Sequence, residues 1–186
     1  MISPLRLSLA ALLATSALAA PATAMAEPVF RRIAAFPVAR NLPAEMPAET
    51  ETSSEIITAS ADGNTLIYSD SPAGGIGLID ITDPKAPKAG GFLAMDGEPT
   101  SVAVAGGNVL VGVNTSPSYT APSGRLAVID IADKTETASC DLGGQPDSVA
   151  VSKDGAYAAI AIENERDEDL DDGALPQMPA GFLAIV

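Results

Sequence analysis

Residues Glu98–Val104 read "EPTSVAV", and residues Gln145–Val151 read "QPDSVAV". The second stretch begins 47 residues after the first and keeps Pro, Ser, Val, Ala and Val in the same places. Other echoes surround the pair. "IDIT" at Ile79–Thr82 returns as "IDIA" at Ile129–Ala132, and "GNTL" at Gly63–Leu66 returns as "GNVL" at Gly107–Leu110. A period of about 40–50 residues with several short strands per unit points to a β-propeller.

Each unit reads as four strands, a to d, rich in Val, Ile, Leu and Ala and punctuated by Gly, Pro, Asp and Asn. In the second unit these are Ser101–Val104, Val109–Val113, Arg125–Ile131 and Thr137–Leu142. The first unit has Ile56–Ala59, Thr65–Ser69, Ile76–Ile81 and Ala89–Ala94. The third has Ser148–Val151 and Ala156–Ile162, then Phe182 onward, and Val186 falls in the middle of its strand c. "RIAAFPV" at Arg32–Val38 matches the d-type stretch "AGGFLA" at Ala89–Ala94. A lone d strand ahead of the first a strand is how many propellers close their ring. The expected fold is therefore all-β: a partial β-propeller of four-stranded antiparallel blades, two complete and a third truncated. Residues 1–26 read as a signal peptide. Residues 27–52 form an N-terminal segment with the ring-closing d-type strand, and residues 53–186 are incomplete propeller repeats. Propellers typically need 4–8 blades. Two and a half leave an apolar face bare, which invites association. The expectation is the front part of a longer protein, or a truncated product, with self-association through the open propeller edge.

Arg6, the uncharged apolar stretch Leu7–Ala20 and Ala24-Met25-Ala26 have the order of a cleavable export signal. The apolar stretch is shorter than the roughly 20 residues a bilayer span requires. The reading is a periplasmic or secreted protein with no membrane span. The whole chain carries 10 basic and 24 acidic residues, a net −14. Nucleic-acid binding, which needs clustered Lys and Arg, is excluded as an expectation. The chain has no histidine, so triads, His-ligated zinc and His-held haem are excluded. Cys140 is the single cysteine, so no disulfide forms within the chain.

Strand order fixes which loops share an end. The a–b and c–d loops lie at one end, and they are short or ordinary. The b–c and d–a loops lie at the other. The b–c loops are Ser69–Gly75, Asn114–Gly124 and Glu163–Gly181, and they are long for hairpins. This end also carries Asp70, Asp96, Glu98 and Asp147. Its densest part is "ENERDEDLDDG", Glu163–Gly173, in which seven of eleven residues are acidic. Asp167, Asp169 and Asp171 alternate before Gly173, but the spacing is not that of an EF-hand. Two readings stay open. One is a solvated acidic loop, with Arg166 satisfying two carboxylates. The other is a loose calcium site with Glu163, Glu165, Asp167 and Asp169 as metal ligands.

The stretch from about Ser53 to Val186 resembles the front half of bacterial exported proteins with esterase-like activity of the phytase family. "GEPTSVAV", "SGRLAVIDI", "CDLGGQPDSVAVSKDG" and "AIAIENERDEDLDDG" carry the resemblance, and "ENERDEDL" is its most specific part. A more general resemblance is to seven-bladed repeat propellers. The phytase-like resemblance implies phosphoester or ester hydrolysis of a small phosphorylated or ester substrate in the complete protein, with calcium as cofactor. It places the main catalytic region further along the chain, so no catalytic residue carries over. The alternative is a non-catalytic propeller that binds a protein or cell-envelope partner through its acidic loop face.

Overall fold

The computed structural model describes residues 30–186, and the signal-peptide reading of residues 1–26 lies outside them. Eleven strands form three antiparallel sheets. The first blade is β1 (Ile57–Ala59), β2 (Thr65–Asp70), β3 (Gly75–Asp80) and β4 (Lys88–Ala94). The second is β5 (Glu98–Ala105), β6 (Asn108–Asn114), β7 (Gly124–Asp130) and β8 (Thr135–Asp141). The third is β9 (Pro146–Val151), β10 (Ala158–Ile162) and β11 (Phe182–Ile185). Strands are neighbours in chain order within every sheet. The all-β class and the blade pattern read from the repeats are the observed ones, with strand ends differing by a few residues.

Alternation along each strand gives every blade two apolar faces. Ile67, Ile76 and Leu78 of the first blade meet Val102, Val109, Val111, Val113, Ala127 and Ile129 of the second in one buried cluster. Leu126 of the second blade meets Val149, Ala158, Ile160 and Ile162 of the third in another. Adjacent blades also share polar ties. Thr100 Oγ1 donates to Pro146 O at 2.8 Å, and Ser101 Oγ accepts from Val149 N at 3.1 Å. Cys140 is half-buried beside the second cluster and is a free thiol.

The first blade's other face is covered by the N-terminal segment. Asn41, buried in a short 3₁₀ turn at Val38–Asn41, donates through Nδ2 to Tyr68 Oη at 3.0 Å and to Leu78 O at 2.9 Å. The Arg40 guanidinium sits over the Phe36 ring, 5.3 Å from its centroid. The expected d-type strand at Arg32–Val38 is corrected here. The segment forms no strand in this structure. It retains strand-like alternation even so, with Ala34, Phe36 and Val38 half-buried and Ile33, Ala35 and Pro37 exposed.

Tyr68 dictates its neighbour. It pairs across the ladder with Gly77, and the hydroxyl end of its ring lies against that residue, so a Cβ there would clash with Cζ, Oη and Cε1. Tyr68 is fully buried, which leaves the ring no escape. Gly77→Ala is expected to lower unfolding stability by about 1–3 kcal/mol, the usual range for overpacking. Thermal melts of the two proteins check this, and an unchanged Tm would contradict the account.

Candidate functional site

The loop-rich end is organised by amides more than by carboxylates. Where β10 ends, Glu163 N donates to Gln145 O at 3.0 Å, which ties the acidic loop to the third blade's d–a turn. Asn164 closes the loop base. Its Oδ1 accepts from Gln145 N at 3.0 Å, and its Nδ2 donates to Ala180 O at 3.1 Å. Gln177 closes the middle, accepting from Asp167 N at 2.7 Å and donating to Asp167 O at 2.8 Å. Gln145, Asn164 and Gln177 were missed in the sequence. Their signal was available: uncharged amides in and beside a long polar loop can donate and accept at once and so pair with its backbone.

The predicted ligands occupy different settings. Glu165 Oε2 accepts from Gln145 Nε2 at 2.7 Å. Asp167 Oδ1 accepts from Asp169 N at 3.0 Å. Arg166 pairs with Glu168 alone at 3.0 Å, and its other nitrogen donates to Gly173 O at 3.1 Å, so it does not bridge two carboxylates. Among the described residues, no group of three acidic or thiol side chains sits close enough to hold a metal ion. Glu163 is nevertheless electrostatically stressed. Partial desolvation, and then the charges of Asp147 and Glu165, push its carboxyl above the ordinary glutamate range.

The second blade's b–c loop leans over this ground. Ser123 N donates to Ser116 Oγ at 2.9 Å and Thr115 N donates to Ser123 O at 3.0 Å, which makes a small hairpin with Tyr119 near its tip. Tyr119 is half exposed and walls two hollows. One is shared with Glu163, Glu165, Asp167 and Asp169. The other is shared with Asn164, Leu170 and Met178. The result is a cleft with an aromatic wall, an acidic floor and an apolar shoulder, suited to a cationic group with an aliphatic stem.

Asp70 lies at the end of β2, at the loop-rich end where the sequence places it, but does not join the exposed acidic group. It is fully buried beneath the N-terminal segment. Its Oδ1 accepts from Ser53 N at 2.8 Å and from Ala73 N at 3.3 Å, while its Oδ2 has no hydrogen-bond partner. Burial raises its carboxyl above the ordinary aspartate range, and the charge of Glu55 adds to the rise.

Fold and cleft together define an all-β repeat domain with its elaborated loops on one end. Residues 55–186 match the choice-of-anchor I domain, and the chain belongs to that family. The match is to this family and not to the phytase-like one that the quoted segments resemble. No curated protein matches the chain. Two solved structures are similar. Kuenenia stuttgartiensis hydrazine synthase is 17% identical over 59% of this chain and 30% of that one, with a TM-score of 0.49. A functionally unknown protein from Desulfotomaculum acetoxidans DSM 771 is 16% identical over 59% of this chain and 36% of that one, with a TM-score of 0.46. The chain thus spans well under half the length of either structure, and these likenesses say nothing of activity. Among the described residues, no helix is long and apolar enough to cross a membrane.

A raised folded-state pKa has a definite sign. The protonated form of Asp70 is favoured by folding, so its contribution to stability falls as pH rises from the unfolded value to the folded one, and the full penalty persists above that. Asp70→Asn keeps the Oδ1 acceptor and removes the charge. The variant is expected to melt higher than the parent at neutral pH, with the gap closing as pH falls toward the ordinary aspartate range. A gap that is constant with pH, or that widens in acid, would contradict this.

Proposed function

We propose that this chain is a non-catalytic, exported propeller domain that engages a cationic partner at the cell surface through the cleft between its second and third b–c loops. The observation that carries the reading is Tyr119, which lines one hollow with Glu163, Glu165, Asp167 and Asp169. An aromatic face beside fixed negative charge attracts Lys and Arg side chains by about 0.5–1 kcal/mol at an exposed site. The family's description as a choice-of-anchor domain supports a role in surface attachment. The export signal read at residues 1–26 supports the same compartment. Hydrolysis of a phosphoester without histidine would call for carboxylates that assemble metal ions around the substrate. No such group occurs among the described residues, so the phytase-like reading draws no support from the geometry.

A fluorescein-labelled Lys/Arg-rich peptide tests the reading by anisotropy, against an acidic peptide of equal length. Binding of the basic peptide alone is expected, weakening as salt shortens the Debye length to about 3 Å at 1 M. Tyr119→Ala is expected to cost about 2–5-fold in affinity, the equivalent of one exposed cation–π contact. Equal binding of both peptides, or no loss with Tyr119→Ala and Glu165→Gln combined, would overturn the proposal.

A second reading rests on the stress at Glu163. A cation would relieve the repulsion among Glu163, Asp147 and Glu165. Calcium, held by Glu163, Glu165, Asp167 and Asp169 after local rearrangement, would bind in the range of about 10⁻⁴–10⁻³ M found for extracellular modules. A rise in Tm with millimolar Ca²⁺ that is lost in Asp167→Asn/Asp169→Asn is the expected result. No rise sinks this reading, and a rise that survives the double substitution places the ligands elsewhere.

A further inference from the structure

The segment that covers the first blade is held by polar atoms. From Arg32 to Ser54 only Asn41 is buried; Phe36 and Val38 are half-buried, and Ile33 is 59% exposed. The turn hydrogen bonds of this stretch close within it: Arg40 N to Pro37 O, Leu42 N to Ala39 O, Met46 N to Pro43 O and Thr50 N to Pro47 O. Its ties to the blade are the two bonds from Asn41 Nδ2, to Tyr68 Oη and Leu78 O, and the bond from Ser53 N to Asp70 Oδ1. Beyond Ser54 the chain joins the sheet, where Glu55 N donates to Ser69 O at 3.2 Å and Ser69 N to Ile56 O at 2.9 Å. A stretch with few buried apolar contacts opens at a free energy well below that of the whole fold.

Both anchors carry an oxygen left over. Asn41 Oδ1 and Asp70 Oδ2 lie in the covered layer and have no hydrogen-bond partner among the described residues. For Asn41 the surplus is a neutral carbonyl. For Asp70 it is half of a carboxyl group in a residue with 0% exposure. Taking an ionised carboxylate out of water is costly unless a cation or several donors answer it. No cation does so here: among the described residues the ion pairs are Arg125–Glu136 and Arg166–Glu168.

The groups around Asp70 offer no relief. At the joint of the segment stands Glu55, exposed and held near Asp70 by the hydroxyl of Ser71, which donates to Glu55 Oε2 at 2.6 Å. From β2 comes Tyr68, two residues earlier on the same face. Burial, and to a lesser degree the charge of Asp70, push its hydroxyl above the ordinary tyrosine range. β3 sets Gly75 opposite Asp70, and β4 brings Phe92 over that glycine; neither residue titrates. β5, the first strand of the next blade, begins with Glu98, whose carboxylate accepts from Asn114 Nδ2 at 3.2 Å.

We propose that Arg32–Ser54 is a pH-sensitive strap, seated on the first blade while Asp70 carries a proton and released from it as Asp70 ionises, with the blades intact throughout. A neutral carboxyl can stay in the covered layer and still accept from Ser53 N. An ionised one regains water only when the strap lifts. Burial raises the carboxyl of the seated state above the ordinary aspartate range, and the charge of Glu55 adds to the rise. Seating is therefore strongest below the ordinary aspartate value, weakens as pH climbs from that value to the raised one, and is level above it. Release bares Tyr68 and opens the groove that Leu66 and Ile79 line with the segment. The inference is independent of the peptide-binding reading, because it uses neither the cleft nor its residues.

Hydrogen exchange of the purified chain tests this, with each rate compared at every pH to its intrinsic value. The Ser53 amide and the Asn41 side-chain amide are expected to be far less protected than the Val111 amide of the second blade. Their protection should fall as pH rises through the window, by up to about tenfold per pH unit, the limiting slope of one proton. Asp70→Asn is expected to flatten the profile and keep protection high. Glu55→Gln, at an exposed position, is expected to raise protection at neutral pH and shorten the falling part, because one negative neighbour is gone. Protection of Ser53 equal to that of Val111 overturns the proposal, since the strap then opens only with the whole fold. So does protection that is constant or rises with pH, or a fall that persists in Asp70→Asn. Should Asp70→Asn fail to fold, Glu55→Gln decides alone, and a profile identical to the parent's overturns the proposal.

Discussion

A blade has two apolar faces, and both must be covered. This follows from strand alternation once both sets of alternating positions carry Val, Ile, Leu or Ala. A sheet with one wet face can stand alone against a helix or a second sheet, but a blade cannot. Everything else in this molecule answers to that demand. The second blade is sandwiched and supplies side chains to both buried clusters. The first blade recruits a non-repeating segment as its lid, held by the two hydrogen bonds of Asn41. Among the described residues, the third blade is covered on the face it turns to the second.

The same demand explains which parts of the fold were legible. Strands were readable because a buried two-faced strand is a short, nearly continuous apolar run between turn residues, and the repeats gave two or three views of each. The exact equivalence of residues was less readable. "GNTL" and "GNVL" suggest that Leu66 matches Leu110, yet the ladders pair Thr65 with Asp80 and Asn108 with Asp130, which makes Leu66 the partner of Val109. The a–b turn of the first blade is longer, so sequence identity and spatial identity differ there by one place. A slip of one residue reverses the face. Leu66 accordingly lines the groove under the N-terminal segment, while Leu110 lies against the second–third blade cluster. Arg32–Val38 was legible as strand-like chemistry, but strand formation depends on a neighbour that local sequence does not specify.

The site was half legible. Loop length and charge picked out the end that carries the long loops, because hairpin topology alone assigns loops to ends. What charge could not reveal is how a seven-carboxylate segment is held. The structure uses neutral amides, with Gln145, Asn164 and Gln177 each pairing with backbone or a carboxylate. An amide pays little for leaving water compared with a charge, and it can donate and accept at once. The acidic side chains are thereby left facing solvent around Tyr119. The burial of Asp70 was not legible. Its loop is polar, but the residue itself is the last of β2 and shares the orientation of Tyr68.

That position carries a meaning of its own. Asp70 is the repeat equivalent of Val113 and Ile162, both buried aliphatics. A repeat protein faces a problem of address: three similar blades offer three similar faces to one N-terminal segment. Ser53 N–H needs an acceptor, and the first blade provides one at this position where its siblings offer methyl groups. A segment docked one blade out of place would bury that N–H against a valine or an isoleucine, at the cost of an unmet hydrogen bond, about 1–3 kcal/mol. The uncomfortable carboxylate thus marks which blade is first.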